Sequence, residues 1–276
     1  MAETTERSLA GVAETLLITL YIRAMESRRP DALIEDENAL ALVTQMDSDF
    51  SKIKQIKMDE EDKVAVLLRN RELDRKAQEF LRHSPEAVVV HFGCGLDSRF
   101  ERVDNGRVEW YDLDLPEVIS LRRRFIGGET ERYHLLAGSL FDLAWLDTVA
   151  LYRQRPFLFL AEGVFMYFHE AQIRSLVLAL QERFPGAELV FDAFSPYIVL
   201  MNNLRFALTK YSARYHWGLR RGQDIEKWGK GIRLLDTWFP FDRPEPRLAG
   251  VWWMRHVPLF AKVLGIFHYR LGELPA

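Results

Sequence analysis

Two glycines flank a cysteine at Gly93-Cys94-Gly95, directly after the β-branched run Val88-Val89-Val90. A buried strand that runs into such a turn leaves a bare backbone edge against which a cofactor can lie. Asp112 and Asp114 follow 19 and 21 residues after Gly93, at the end of a second strand-like run from Arg107 to Asp114. A carboxylate at that strand tip can accept hydrogen bonds from both hydroxyls of a ribose. These residues therefore suit a nucleoside-bearing cofactor. A dinucleotide site wants a third glycine, so that helix packs close on strand and a pyrophosphate meets the helix N-terminus. Ser98 stands at that place, between Asp97 and Arg99. A cofactor without a pyrophosphate fits better, and S-adenosylmethionine is the common nucleoside cofactor of that kind.

The elements that must hold these residues follow from the period of the apolar positions. Leu9, Val12, Leu16 and Leu20 recur at helical steps, and Pro30, after Arg28-Arg29, ends that helix. A second helix is expected over Val64 to Arg82, and the charge run Lys57 to Lys63 before it reads as a solvated turn or helix start. From Pro85 the pattern changes to short strands at Val88–Val90, Arg107–Asp114, His134–Ala137, Pro156–Ala161 and Glu188–Asp192. Helices starting at Pro116 and spanning Glu170–Phe184 alternate with them. Short strands alternating with helices predict an α/β fold, with a mostly parallel sheet covered on both faces. Tyr197 to Tyr215 reads as a helix with Ile198, Met201, Leu204, Leu208 and Tyr211 as its apolar stripe. Gly265 to Leu271 reads as a last strand. One domain over residues 1–276 is expected, with a helical extension (1–84), a cofactor-binding core (85–195) and substrate-lid helices with a terminal strand (196–276).

Composition limits what such a domain can do. The 276 residues carry 37 Lys+Arg against 40 Asp+Glu, a net charge of −3, which gives no electrostatic case for nucleic acid or an anionic membrane. One cysteine excludes an internal disulfide, and no histidine or cysteine spacing suggests a metal. The apolar run Leu16 to Ile22 is broken by Thr19 and falls short of the about 20 residues a bilayer span needs. Glu3, Glu6 and Glu14 replace the basic start of a secretory signal. A cytoplasmic protein is expected. Five of the seven tryptophans fall between Trp217 and Trp253, which suits either core or a pocket for a flat substrate.

Six collinear segments resemble the leucine carboxyl methyltransferase family. They are Arg69-Asn70-Arg71-Glu72-Leu73-Asp74, Gly93 to Arg99, Trp110 to Pro116, Gly138-Ser139-Leu140-Phe141-Asp142, Ala161 to Tyr167, and Phe184 to Glu188. The resemblance covers about residues 10 to 195. It implies the Rossmann-like class I S-adenosylmethionine-dependent methyltransferase fold. On this resemblance Arg69 would hold the cofactor's methionine carboxylate, a bidentate task suited to guanidinium. Gly93, Cys94 and Gly95 would lie under methionine and ribose, and Asp114 would bind the ribose with Asp112 beside it. Ser139 and Leu140 would border the adenine with Asp142 as a polar partner. Glu162 would face the sulfonium side of the cleft, with Tyr167 a turn further on lining the pocket. The implied activity is O-methylation of a small molecule, on a carboxyl or hydroxyl of an aromatic or polyketide-like metabolite.

Each residue also has a plainer reading. Arg69 could pair with Glu72 or Asp74 on its own helix, and the aspartates could be strand-end turn formers. Cys94 reads as small filler, since nothing sets a base beside it. Three other functions stay open: a protein C-terminal carboxyl methyltransferase, an NAD-linked oxidoreductase on the same fold class, and a non-catalytic cofactor-binding protein.

Overall fold

The computed structural model describes residues 16–46, 58–207 and 214–273. Glu3, Glu6, Leu9, Val12, Glu14, Lys57, Leu208 and Tyr211 lie outside the described residues. Seven strands form one sheet: β1 (Val88–Phe92), β2 (Glu109–Asp114), β3 (Tyr133–Ala137), β4 (Phe157–Ala161), β5 (Ala187–Phe194), β6 (Arg233–Trp238) and β7 (Leu264–Leu271). Their order is β3-β2-β1-β4-β5-β7-β6. The first five pair in parallel, and β7 lies antiparallel between β5 and β6. The chain order turns back between β1 and β4, so the tips of β1, β2, β4 and β5 flank the switch point where open α/β sheets bind ligands.

Alternation along the strands divides the core. Val88, Val90 and Phe92 join Phe157 and Phe159 against the helix Glu170–Arg183. Val89, Trp110, Leu158 and Leu160 face the other way, against Val64, Leu68 and Leu73 of the helix Glu60–His83. Both faces are covered, which is why β4 reads as an unbroken apolar run and β1 as one interrupted only by His91. Burying a large apolar side chain contributes about 1.5–3 kcal/mol, against about 0–1 for an exposed ion pair. The apolar faces thus set the sheet's position, and charge is left to shape its tips.

The helices are α1 (residues 16–26), α2 (Glu37–Gln45), α3 (Glu60–His83), α4 (Arg99–Val103), α5 (Pro116–Phe125), α6 (Trp145–Val149), α7 (Glu170–Arg183), α8 (Pro196–Ala207) and α9 (Pro258–Ala261). The charge run before α3 is a helix start. Asp59 is its N-cap residue and Glu60, Glu61 and Asp62 fill the first turn, with Arg82 and His83 in the last, each sign matching the helix dipole. The five-residue helices α4 and α6 are too short to show a period in sequence. Beyond residue 195 the structure departs from the expected helices and single strand. There, α8 is followed by 3-10 turns at Gly222–Trp228 and Pro246–His256, and β6 adds a second strand. As an edge strand, β6 is mostly solvated, with Leu235 40% exposed, so it lacks the apolar run that marks a central strand. Among the described residues no helix is long and apolar enough to cross a membrane.

Candidate functional site

The loop after β1 depends on its glycines. Gly93 has φ +58, and a Cβ there would lie 2.4 Å from Val164 Cγ2, so the loop can approach the segment after β4 only without a side chain. Gly95 also has positive φ, at +52. Two strand-tip aspartates then take different parts. Asp114 Oδ2 accepts from the Gly95 N–H at 2.8 Å, and its Oδ1 accepts from the Leu115 N–H at 2.7 Å. Burial pushes its carboxyl above the usual range against the pull of those two donors.

Asp112 is expected from sequence beside Asp114 at the cofactor, but its carboxylate is taken up within the fold. Trp110 Nε1 donates to its Oδ1 at 2.9 Å, and Arg122 and the Tyr133 hydroxyl donate to its Oδ2. Arg122, fully buried, also donates 2.8 Å bonds to the carbonyls of Gly95 and Asp97. Asp112 is therefore a brace: it fixes the guanidinium that fixes the glycine loop.

The other side of the cleft is built from residues far apart in the chain. Arg69 of α3 donates through Nε to Glu162 at 3.0 Å and through Nη1 to Asp192 at 3.1 Å. Its Nη2 lies 2.9 Å from the same Glu162 oxygen. Arg69 does not pair within its own helix: Glu72 pairs with Arg75, and Asp74 with Arg99 and Arg102. Arg99, wholly buried, joins Asp74 at 2.6 Å, Glu162 at 2.5 Å, Asp97 at 3.2 Å and His91 at 3.1 Å. Arg102 carries the network on to Asp36 and Asp97. Burial alone would raise the Glu162 carboxyl, but Arg69 and Arg99 outweigh it and hold it low. Asp97 is held well below its usual range against burial by Arg102, Arg99 and Arg23. Burial wins at Asp192, whose carboxyl sits above its usual range despite Arg69.

Two features leave this cluster open to a ligand. A guanidinium has five N–H groups, and the bonds to Glu162 and Asp192 leave one on each terminal nitrogen of Arg69. The Oδ1 of Asn70 is buried and has no hydrogen-bond partner among the described residues, while its Nδ2 donates to Glu162. A buried, unpartnered carbonyl oxygen is an acceptor awaiting a donor.

Aromatic side chains continue the wall. The ring of Tyr215 stacks on Phe194 at 5.5 Å and meets Tyr167 edge-on at 5.3 Å, and the two tyrosine hydroxyls share a hydrogen bond. Burial pushes the Tyr215 phenol up, and Arg69 and Asp192 lie close enough to act on it. Asn203 of α8 fixes Tyr215 by bonding both its N–H and its carbonyl. The remaining expected residues sit after β3, whose tip pairs with that of β2. Ser139 and Asp142 are exposed in a tight turn and Leu140 is buried between them. Cys94 is buried, and burial pushes its thiol well up, which makes it inert. Among the described residues no group of three or more His, Cys, Asp or Glu is placed to hold a metal.

Asn70, Arg99, Asp192 and Tyr215 were not singled out from sequence. Asn70 and Arg99 lie inside the resembling segments and had that signal. Asp192 had only its place at a strand end, and Tyr215 none.

Comparison with known proteins agrees with this geometry. The family model of leucine carboxyl methyltransferase matches residues 16–181. The chain is 37% identical over 237 residues to the tetracenomycin polyketide synthesis O-methyltransferase TcmP of Streptomyces glaucescens, covering 86% of each protein. It is 28% identical to the S-adenosyl-L-methionine-dependent methyltransferase dpfgK of Gibberella zeae, over 84% of this chain and 83% of that one. Among solved structures, a DUF574 family protein from Streptomyces avermitilis shares the fold with a TM-score of 0.59 at 14% identity, over 93% of this chain and 96% of that one.

Proposed function

The chain belongs to the leucine carboxyl methyltransferase family, and from that premise we propose that it moves the methyl group of S-adenosylmethionine onto an oxygen of a small aromatic molecule. When bound, the cofactor supplies an electrophilic methyl carbon on a positively charged sulfur, so the protein's task is alignment and exclusion of water. The residues present fit such a cofactor. Gly93 and Gly95 let the loop fold tightly against Val164 and Leu16, and Asp114 presents a carboxylate at the loop. Among the described residues Arg69 keeps N–H groups for a carboxylate and the unpartnered Asn70 oxygen suits an ammonium.

In this reading Arg69 and Asn70 take the amino-acid end of the cofactor. Gly93, Cys94 and Gly95 lie under its middle, and Asp114 takes the ribose. Ser139, Leu140 and Asp142 border the adenine. Glu162 anchors Arg69 rather than acting as a free base, because Arg69, Arg99 and Asn70 all bind it. Tyr167 and Tyr215 line the acceptor's place, and Tyr215 can orient an acceptor oxygen by hydrogen bond. A carboxylate acceptor is already ionised near neutral pH and needs no base, whereas a phenol, with pKa about 10, must lose a proton. Both oxygens of the buried Asp192 are taken by Arg69 and the Gly163 N–H, so a phenolic proton would go to water.

The observation that carries the proposal is the meeting of Arg69 and Glu162 with the glycine loop at the tips of adjacent strands. The test is label transfer from methyl-labelled S-adenosylmethionine to a panel of hydroxynaphthoic acids and anthraquinone carboxylic acids. Enzyme-dependent label that alkali removes marks an ester, and label that resists alkali marks an ether. No transfer to any member, with no S-adenosylhomocysteine binding, overturns the proposal.

A further inference from the structure

Beyond the cleft, a groove of about 450 Å3 opens between the first turns of α7 and the segment from Trp217 to Trp228. Its floor is apolar: Trp217 is 5% exposed and its ring centroid lies 6.2 Å from that of Trp228. Its rim is cationic. Arg174 and Arg220 are exposed and make no ion pair with another described residue. Lys227 shares the Asp224 carboxylate with Arg221, which stands outside the groove, and among the described residues the other acid lining it is Glu170. Three cations, Arg174, Arg220 and Lys227, thus face two carboxylates, one of them already paired with Lys227, on a chain whose net charge is −3. A groove of similar size beside α3 is lined by four arginines and four carboxylates and has no such preference.

The segment 214–219 links this groove to the acceptor's place. Residues 215, 217 and 219 turn inward while 214, 216 and 220 are exposed, as in a strand. His216 and Trp217 both donate to the Met166 carbonyl, which pins the segment beside Tyr167. Trp217 is two residues from Tyr215, so the groove begins about 7 Å of extended chain from the tyrosine proposed to meet the acceptor.

We propose that this groove is a second subsite, which holds the anionic end of an aromatic acceptor whose methylated oxygen lies by Tyr215. The proposal rests on the reading of the chain as an O-methyltransferase. The tryptophan floor takes apolar ring surface, and Arg174 and Arg220 take a carboxylate or phosphate through charge-assisted hydrogen bonds.

The test is calorimetric titration with 1-naphthyl phosphate and with neutral 1-naphthol, on wild type and on the double variant R174E/R220E, each also titrated with S-adenosylhomocysteine. The expected result is binding of the phosphate about tenfold tighter than the naphthol, lost about tenfold or more in the double variant and weakened by salt. S-adenosylhomocysteine should bind both proteins equally and together with the phosphate, which shows that the variant folds and that the two sites are separate. Equal binding of phosphate and naphthol, an unchanged double variant, or competition with S-adenosylhomocysteine overturns the proposal. Binding of poly-glutamate without binding of naphthyl phosphate also overturns it, in favour of an acidic protein partner. If the phosphate binds as expected and S-adenosylhomocysteine does not bind at all, the anion site stands and the methyl-transfer reading falls.

Discussion

The proposed ribose side and the proposed acceptor side of the site differ in how far along the chain their residues are gathered. Gly93, Gly95, Asp112, Asp114 and Arg122 fall between positions 93 and 122, and they brace one another through the loop's own carbonyls and N–H groups. Arg69, Glu162, Asp192 and Tyr215 come from α3, the loop after β4, the middle of β5 and the segment after α8, and meet only in the folded chain. A locally braced half keeps its shape when one ligand-facing group is removed. A half made of long-range buried ion pairs does not, because each partner lost leaves another charge buried and unpaired.

That contrast can be broken by mutation, and the largest effect is expected at Arg69→Ala. It leaves the buried Asp192 without a cation and Glu162 with Arg99 and Asn70 alone, so unfolding in urea should show a loss of about 3–5 kcal/mol, together with loss of S-adenosylhomocysteine binding. A variant as stable as wild type would show that the network is not a structural unit. Asp114→Ala should behave differently. If Asp114 takes the ribose as proposed, losing two charge-assisted hydrogen bonds, at about 1.5 kcal/mol each, should weaken S-adenosylhomocysteine about 100-fold while the protein stays folded.

Titration cuts across the two halves, since each holds one carboxyl pushed down and one pushed up. Glu162, Asp97 and Asp112 have folded values held below their ordinary ones, so the stability they contribute is present above the unfolded pKa, about 4, and is lost as pH falls through the folded values. Asp192 has the opposite sign: its folded value is raised, so its contribution is present at low pH and is lost as pH rises through that value. Urea unfolding at a series of pH values should show stability falling steeply below pH about 4, and Asp97→Asn should flatten that slope. The smallest effect belongs to Tyr215→Phe, which removes one hydroxyl bonded to Tyr167. Methyl transfer to the acceptor found by label transfer should drop about fivefold, or about 1 kcal/mol, with S-adenosylhomocysteine affinity unchanged.

The same contrast explains what could be read from sequence. β1 and the glycine turn announce themselves, because two-sided burial writes the apolar run Val88-Val89-Val90 and a positive-φ position favours glycine. Arg69 and Glu162 were found only because the order of several segments resembled a family. Their mutual pairing across 93 positions leaves no local mark. The part played by Asp112 was misread, since an acid at a strand tip looks the same whether it faces a ribose or a buried arginine. Tyr215 and β6 were missed because one sits in an irregular segment and the other is an edge strand with no apolar period.

The most direct test of the cleft is a calorimetric titration of wild type and Asp114→Ala with S-adenosylhomocysteine, with a melting curve to show that the variant is folded. The expected result is saturable binding at one site per chain in wild type and binding about 100-fold weaker in the variant. No binding to wild type, or equal binding to both proteins, would contradict the assignment of Asp114 and the glycine loop to the cofactor.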